Sequence, residues 1–337
     1  RAVIADEGIL NMQADQGVCF EEIPIEGPLR SAEAETARAW FTDGEITDIQ
    51  LDGAVEIRAE TASASGSRAR LVQASGLIMI QGDATGRNRV GLVSDNGRMS
   101  CDQAILYDRE GRIEARGKVQ GELANTGLLG PADSSGGDGP VRFAGEILEV
   151  GDDGDRFELR DNARVWQGRR ILLADEVLVR HADESLTARG HVRTSFPADQ
   201  VEDGADAAED VVVDARSLDY DRPGGVAVFR GSVHYSDPEH TLSANRLSIA
   251  FVDDEVTDVE AVGAVEIVDG TTGRRLTGNH AVRTVASATI TVTGAPAQLT
   301  DERGNVASGE SLTWNQADGT VAVAGGTETI YYPEETP

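Results

Sequence analysis

A short unit that recurs along the chain constrains the fold more than any other feature of the sequence. Residues 41–57 align with residues 251–267 without a gap, and both segments end in Gly-Ala-Val-Glu-Ile. From Gly231 onward, further copies of this glycine anchor follow one another at a spacing of about 31 residues, which lies in the range of repeat proteins. We therefore predict that the chain is built from about ten copies of one short unit.

A second phrase, Leu-x-Ala-x-x-Leu-x-Tyr in its general form, precedes the glycine. Clear copies begin at Leu172, Val213 and Leu242. Their apolar residues recur at every second position, which places them on one face of a β-strand. The positions between carry Arg, Asp, Glu, Ser and Thr, as expected of a face in water. Turn clusters such as residues 221–225 separate the phrases, so each unit is predicted to be strand, turn, strand, and the fold class all-β.

The recurring glycine needs a physical reason, and two compete. Glycine supplies a positive φ in a bulge, or it lets a neighbouring backbone approach closely. Both imply that the strand bends at this point. Strands that bend at matching positions stack into an elongated, open β-jelly roll, in which the apolar residues of successive units line one interior.

Two stretches interrupt the repeat and define the predicted domain organisation. Residues 1–123 and 141–337 carry repeats, whereas residues 124–140 have the composition of a linker or long loop and residues 197–210 that of a mobile acidic loop. Because the strand pattern resumes in register after each stretch, we favour one continuous body. A domain boundary near residue 132 is the alternative.

Composition narrows the partners and the compartment. The 59 acidic residues against 30 basic ones give a net charge of -29, which would repel a nucleic-acid backbone. Cys19 and Cys101 could pair in an oxidising compartment, but Cys101 stands where other copies carry Ala or Gly, which favours a small buried side chain. The sequence begins at Arg1 without an initiator Met, which favours a longer precursor whose signal sequence or membrane anchor precedes Arg1.

No catalytic or cofactor motif is recognisable. The five histidines lack the spacing of a metal-binding helix or knuckle. A phosphate-binding loop is excluded because the only lysine, Lys118, is not in such a motif. The acidic segment 151–155 lacks the regular ladder of a calcium loop, which favours a solvated turn. We therefore predict that the protein is not an enzyme and has no catalytic residues, no metal site and no cofactor.

Together, the two phrases resemble the repeat of the OstA-like family of lipopolysaccharide-transport proteins, which includes LptA, LptC and the periplasmic domain of LptD. The resemblance extends over nearly the whole chain and is best between residues 211 and 332, although the chain is longer and more acidic than typical members. It implies a periplasmic jelly roll of a Gram-negative bacterium, whose hydrophobic groove binds the acyl chains of lipopolysaccharide and passes them toward the outer membrane. It also implies partners: lipopolysaccharide or a related lipid, and other Lpt jelly-roll proteins joined by end-to-end strand pairing.

The resemblance further implies a groove lined by the inward residues of both phrases. These are Leu242, Leu247, Ile249, Leu218, Tyr220, Val177, Val179, Leu312, Trp314, Val55, Ile57, Val233, Tyr235, Val265 and Ile267. The same pattern also fits a closed, dry core, and position alone does not separate the two. A non-catalytic scaffold protein of the cell envelope is therefore the alternative function. A polysaccharide-acting β-helix enzyme ranks last, because no clustered catalytic residues are found.

Overall fold

The protein consists of β-strands in nearly all of the residues that the computed structural model describes, which are 2–5, 8–22, 30–123, 139–151, 154–197, 210–252 and 255–330. Within these ranges there is no α-helix, and two 3-10 turns occur at Asp108–Glu110 and Val285–Ser287. The predicted all-β class is confirmed. Most of the predicted linker at 124–140 and of the acidic loop at 197–210 lies outside the described residues.

The chain divides into two compact units. The first comprises the described residues up to 123 together with 139–165 and 178–181, and the second comprises 166–177 and the described residues from 182 onward. The strands of the first unit are β1 (Ala2–Ala5), β2 (Gly8–Glu22), β3 (Arg30–Thr42), β4 (Glu45–Arg58), β5 (Ala62–Val72), β6 (Leu77–Gln81), β7 (Val90–Ser94), β8 (Gly97–Cys101), β9 (Gln103–Tyr107), β10 (Arg112–Leu123) and β11 (Val141–Gly151).

Two strands, β12 (Arg156–Gln167) and β13 (Arg170–Arg180), have residues in both units. The strands of the second unit are β14 (Ser185–Pro197), β15 (Asp210–Asp221), β16 (Val226–Ser236), β17 (His240–Val252), β18 (Glu255–Asp269), β19 (Arg275–Thr284), β20 (Thr289–Thr300), β21 (Val306–Asn315), β22 (Val321–Ala324) and β23 (Glu328–Ile330).

Antiparallel pairing follows the order of the chain in each unit. In the first unit β1 to β5 pair in succession. β5 then pairs with both β6 and β7, and β10 pairs with both β8 and β9, so each of these short pairs acts as two halves of one bent strand. In the second unit β14 to β21 pair in succession, and β21 pairs with β22 and β23.

A two-residue bulge interrupts the long strands at the predicted glycine. In β16 the pairing with β17 jumps from Arg230 to Val233, and the skipped residues Gly231 and Ser232 have φ values of 86° and 53°. The same pair of positive φ angles occurs at Gly53 and Ala54, Gly117 and Lys118, Gly190 and His191, and Gly263 and Ala264. Positive φ, the first of the two reasons predicted for this glycine, is therefore confirmed.

Close approach of a neighbouring strand explains a different set of glycines. Gly278 has no positive φ, but a Cβ at this position would lie 2.6 Å from Cγ1 of Val292 and 2.7 Å from the carbonyl oxygen of Thr293. Gly309 is crowded in the same way by the backbone of Ala324. Both physical reasons thus operate in one repeat, at two separate positions.

The side chain that follows the Ala of the phrase lies against the bulge glycine of the next strand. A Cβ on Gly263 would come within 2.6 Å of Nδ2 of Asn245, and Asp175 crowds Gly190 in the same way. Only glycine leaves room for this side chain. The two recurring phrases are therefore matched to each other across each pair of strands.

Inward side chains of the second unit form rows that cross the strands, because each strand presents alternate residues to the interior. Cross-strand pairing defines an inner row of Ala188, Leu218, Phe229, Leu247, Ala261, Ala281, Val292 and Leu312. Every member of the inner row is buried. This row forms the centre of the apolar core of the unit.

Two residues further along the same strands lies a rim row. It consists of Leu186, Tyr220, Ala227, Ile249, Val259, Arg283, Ile290 and Trp314. Beyond the bulges, the other halves of the strands supply a facing row, which consists of Val213, Tyr235, Leu242, Ile267, Leu276 and Leu299. Side chains of the rim and facing rows line one cavity, so the two halves of each strand lie in two layers of a jelly-roll-like fold.

The first unit has the corresponding rows. Its rim row consists of Met12, Ala39, Ile49, Leu71, Ile78, Leu106, Ile113 and Val150, and its inner row of Ala37, Leu51, Ala69, Ile80, Ala104, Ala115 and Leu148. All of these side chains are apolar. Each unit therefore has a core of strand-by-strand apolar rows, as the alternating pattern predicts.

Candidate functional site

The predicted lining residues occupy inward positions in both units. Val55 and Ile57 lie in the first unit, Val177 and Val179 lie on β13, and the others belong to the second unit. Twelve of the fifteen are buried, and the three that are half-buried are Tyr220, Tyr235 and Leu242. These three residues lie in the rim and facing rows, and none lies in the inner row. The interior is therefore accessible along the rim and facing rows rather than at the inner row. Whether the set lines a lipid groove stays a prediction.

A cavity of about 50 Å³ lies between the rim and facing rows of the second unit. Tyr235, Leu242 and Ile267 line it from one layer. The opposite wall consists of Val259, Ala261, Ala281, Arg283 and Ile290. Of the fifteen predicted residues, the structure thus brings three together around this space.

The cavity exists because the side chains of the inner row are small at this point. Ala261 and Ala281 are directly paired neighbours, whereas the flanking strands carry Leu247 and Val292 at the same level. Two adjacent Ala side chains fill less volume than the Leu and Val beside them. The unfilled volume is apolar on most of its wall, and it is large enough for about four water molecules.

Polar groups gather at one end of the cavity, at the turn between β16 and β17. The carboxylate of Asp237 accepts hydrogen bonds from the Tyr235 hydroxyl at 2.8 Å and from the backbone amides of Glu239 at 2.8 Å and His240 at 2.6 Å. Burial alone would raise the pKa of Asp237, but these hydrogen bonds and the His240 ring lower it to about 2. Burial, together with the Asp237 charge, raises the pKa of Tyr235.

His240 connects this turn to the far end of β21. Its Nε2 lies 3.4 Å from Nε2 of Gln316, and its ring centroid lies 5.6 Å from that of Trp314. Gln316 and Trp314 belong to the layer of the rim row, whereas His240 begins the strand that carries Leu242 of the facing row. The contact therefore links the two layers beside the cavity, and the alternating pattern gave no indication of it.

Arg283 is the functional candidate that the pattern search missed. It lies in the rim row between Val259 and Ile290, its side chain lines the cavity, and its Nε is buried without a hydrogen-bond partner in the described residues. A signal for it existed in the sequence. The copy of the phrase on β19 begins at Leu276 and places Arg283 where other copies carry Ile249 or Trp314.

The outer faces of the strands carry acidic side chains, and some of these form cross-strand ion pairs. Arg70 lies 2.6 Å from Asp48 in the first unit, and Arg275 lies 3.3 Å from Glu266 in the second. Such exposed pairs contribute little to stability, because both charges stay in contact with water. Their effect is to keep the outward side of the alternating pattern polar and solvated.

The two cysteines are free. Cys19 is exposed and Cys101 is buried, which confirms the small buried side chain predicted for Cys101. Burial raises the pKa of the Cys101 thiol to about 11. In the part of the chain that the structure describes, no helix has the length and apolarity needed to cross a membrane.

Comparison with known proteins gives a family match for part of the chain. Residues 212–320 match the model of a family described as LptA/(LptD N-terminal domain) LPS transport protein. The resemblance inferred from the two phrases is confirmed by this match, which covers the strands around the cavity. Comparison with curated protein sequences gives no match.

Among solved structures, the chain is similar to LptH, the LptA homologous periplasmic component of the lipopolysaccharide transport device from Pseudomonas aeruginosa. The sequences are 19% identical, and the alignment covers 36% of this chain and 95% of LptH with a TM-score of 0.34.

Proposed function

Since residues 212–320 match the model of the LptA and LptD N-terminal lipopolysaccharide-transport family, we propose that the chain binds the acyl chains of lipopolysaccharide between its two layers and passes them toward the outer membrane. It acts in the periplasm, as a binding protein without catalysis. The observation that carries this proposal is the continuity of the apolar rows, which run from strand to strand through the matched segment.

The rows supply the binding energy that such a role needs. Each methylene group that moves from water to an apolar surface contributes about 0.8 kcal/mol. A chain of about ten methylenes lying along Ala227, Ile249 and Val259 would contact the successive strands β16, β17 and β18, which are about 4.8 Å apart. Because each strand from β14 to β18 presents an aliphatic or aromatic side chain to the rim row, a bound chain can slide along the row without crossing a charged side chain until it reaches Arg283.

Access is through the rim. The inner row is fully buried, and the cavity of about 50 Å³ is smaller than an alkyl chain. The half-buried Tyr220, Leu242 and Val259 mark where the layers are accessible. Binding therefore requires the rim and facing rows to move apart, while the bulges on the other side keep the two layers joined.

Photo-crosslinking tests the proposal. A photoreactive phenylalanine derivative is placed at Tyr220 or Ile249, which point inward, and at Arg246 as the control, which is exposed on the same strand as Ile249. We expect lipopolysaccharide adducts at both inward positions and none at Arg246. Equal adducts at all three positions would show surface adsorption and contradict the proposal.

The closed state of the interior favours one second candidate, a non-catalytic scaffold of the cell envelope. Twelve of the fifteen predicted lining residues are already buried against protein. A scaffold would need no separation of the layers. Folded protein that gives no adduct at any inward position, in the presence of lipopolysaccharide, would establish this candidate in place of transport.

The ends of the strand series favour assembly with similar proteins. In the described residues β22 and β23 pair only with β21, which leaves their other edges available for strand addition. We propose that other Lpt jelly-roll proteins pair with such an edge. Substituting Pro at Ala322 removes a backbone donor from β22, and we expect it to weaken co-purification with a jelly-roll partner while leaving lipid crosslinking at Ile249 unchanged.

A further inference from the structure

One residue breaks the apolar character of the rows described above. Seven of the eight rim-row residues in the second unit are aliphatic or aromatic, and Arg283 is the only charged one. The equivalent row of the first unit, from Met12 to Val150, contains no charged residue. Arg283 is therefore not a general feature of the repeat but a local addition beside the cavity.

The position of Arg283 lowers the stability of the fold unless a ligand binds there. Its Nε is buried and has no partner, and the residue forms no ion pair within the described part of the chain. A buried hydrogen-bond donor without an acceptor is unfavourable, although the Arg283 residue as a whole is half-buried. Arginines on the outer faces of the same unit behave differently, as Arg275 with Glu266 and Arg193 with Asp214 show.

The acidic group nearest in the cavity wall is already satisfied. Asp237 accepts hydrogen bonds from Tyr235 and from two backbone amides, and His240 Nδ1 lies 3.4 Å away. The cross-strand neighbours of Arg283 are Val259 and Ile290, whose side chains offer no acceptor. The guanidinium thus lies at a small space whose walls are apolar except at the end formed by Tyr235, Asp237, His240 and Gln316.

We propose that Arg283 binds the anionic group of an amphiphile whose alkyl part lies along the rim row. A guanidinium presents several donors in one plane and matches the oxygens of a phosphate or carboxylate, so it recognises that group with defined geometry. The inference deepens the function proposed above, and rests on it, by adding an anion-selective point to an otherwise apolar groove.

The overall charge makes such a point necessary. A chain with net charge -29 repels anionic ligands at long range. A neutral amphiphile meets no such barrier. Selective binding of an anionic amphiphile therefore requires a local cation, and among the side chains that line the cavity Arg283 is the one that carries a guanidinium.

Calorimetric titration of the full chain tests the inference with three probes of equal chain length. Dodecyl phosphate and dodecanoate carry the anion, and dodecyl maltoside is neutral; all are used below their micellar concentrations. The variants are Arg283→Leu, which restores the apolar row, and Arg283→Gln, which keeps most of the side-chain volume. Arg275→Leu is the matched control, because it removes the same charge from the outer face of the same strand.

We expect the unsubstituted protein to bind both anionic probes at least about tenfold more tightly than the neutral probe, as a charged hydrogen bond permits. Both Arg283 variants should lose this preference and still bind dodecyl maltoside, and Arg275→Leu should keep it. Circular dichroism confirms that each variant is folded. If Arg283→Leu does not fold, the comparison is made with Arg283→Gln.

The contrary outcomes separate the two proposals. Equal affinity for all probes in the unsubstituted protein, or a preference that survives in both Arg283 variants, would overturn the anion site and leave acyl-chain binding intact. A preference lost equally in Arg275→Leu would also overturn it, since net charge would then be the cause. Failure of folded, unsubstituted protein to bind any probe would contradict the groove itself.

Discussion

Replacing Gly263 with Ala tests the bulge as the element that holds the two layers together. Gly263 has a φ of 81°, and a Cβ there would lie 2.6 Å from Nδ2 and 3.1 Å from Cβ of Asn245. A left-handed backbone costs an L-residue about 1–2 kcal/mol, and the Asn245 side chain must also move. We therefore expect Gly263→Ala to lower the free energy of unfolding by about 2 kcal/mol.

The neighbouring residue supplies the opposite substitution. Ala264 also has positive φ, at 50°, and it is exposed, so Ala264→Gly removes backbone strain and few contacts. The relief of about 1–2 kcal/mol is partly offset by the greater flexibility of glycine in the unfolded chain, about 0.4–1 kcal/mol. We expect a net stabilisation of roughly 0.5–1 kcal/mol.

Urea unfolding of both variants, followed by circular dichroism, measures the two changes. The pair is informative because one variant adds a methyl group to Cα and the other removes one, at adjacent residues of the same bulge. If Gly263→Ala were neutral, or if both substitutions destabilised the protein equally, the bulge would not depend on left-handed backbone, and the explanation given for the repeated glycine would be wrong.

Three further predictions concern the cavity and the cysteines. Arg283→Leu should raise the free energy of unfolding of the ligand-free protein by about 1 kcal/mol in urea titrations, because it removes an unsatisfied buried donor; destabilisation would mean that Arg283 has a partner. The pKa of Asp237 lies at about 2, below the usual value of 3.8. The ionised carboxylate therefore contributes about 1–2 kcal/mol to the free energy of unfolding above pH 4, and this contribution is lost as the pH falls toward 2. The free energy of unfolding of Asp237→Asn should lack this pH dependence, and an unchanged acid profile would refute the lowered pKa of Asp237. At pH 8 iodoacetamide should modify exposed Cys19 and leave buried Cys101 unmodified until the protein unfolds, as peptide mass spectrometry can show; equal modification of both would contradict the burial of Cys101.

The strands and bends were predictable because their causes are local. Alternation within the phrase at Leu242 determines which side chains of β17 point inward, and Gly263 marks the bulge because few other residues adopt its φ. In β12 two consecutive residues, Asp161 and Asn162, have positive φ without a glycine, and the same reason holds because Asn and Asp tolerate positive φ better than most residues. The division of the chain near residue 132 stays a prediction.

The candidate site was less predictable because it depends on which strands lie side by side. Ala261 and Ala281 look like ordinary members of two separate phrases, and they leave a cavity only because the register pairs them directly. The contact between His240 and Gln316 joins residues 76 positions apart in the chain. Arg283 was visible in the sequence as an exception to its phrase, but only the burial of its Nε without a hydrogen-bond partner among the described residues shows that the exception matters.

The matching of each phrase to the glycine of the next strand bears on how such a chain grows during evolution. The contact between Asn245 and Gly263, repeated between Asp175 and Gly190, makes the strand pair a module with complementary ends. A duplicated gene segment that encodes whole modules would insert into a unit and keep the strand register on either side. A duplication of one strand would instead place two strands of the same kind next to each other, both with the Leu-x-Ala phrase or both with the bulge glycine. Lineages should therefore differ in length by even numbers of strands, and an exception such as Arg283 can appear in one module while its siblings stay apolar.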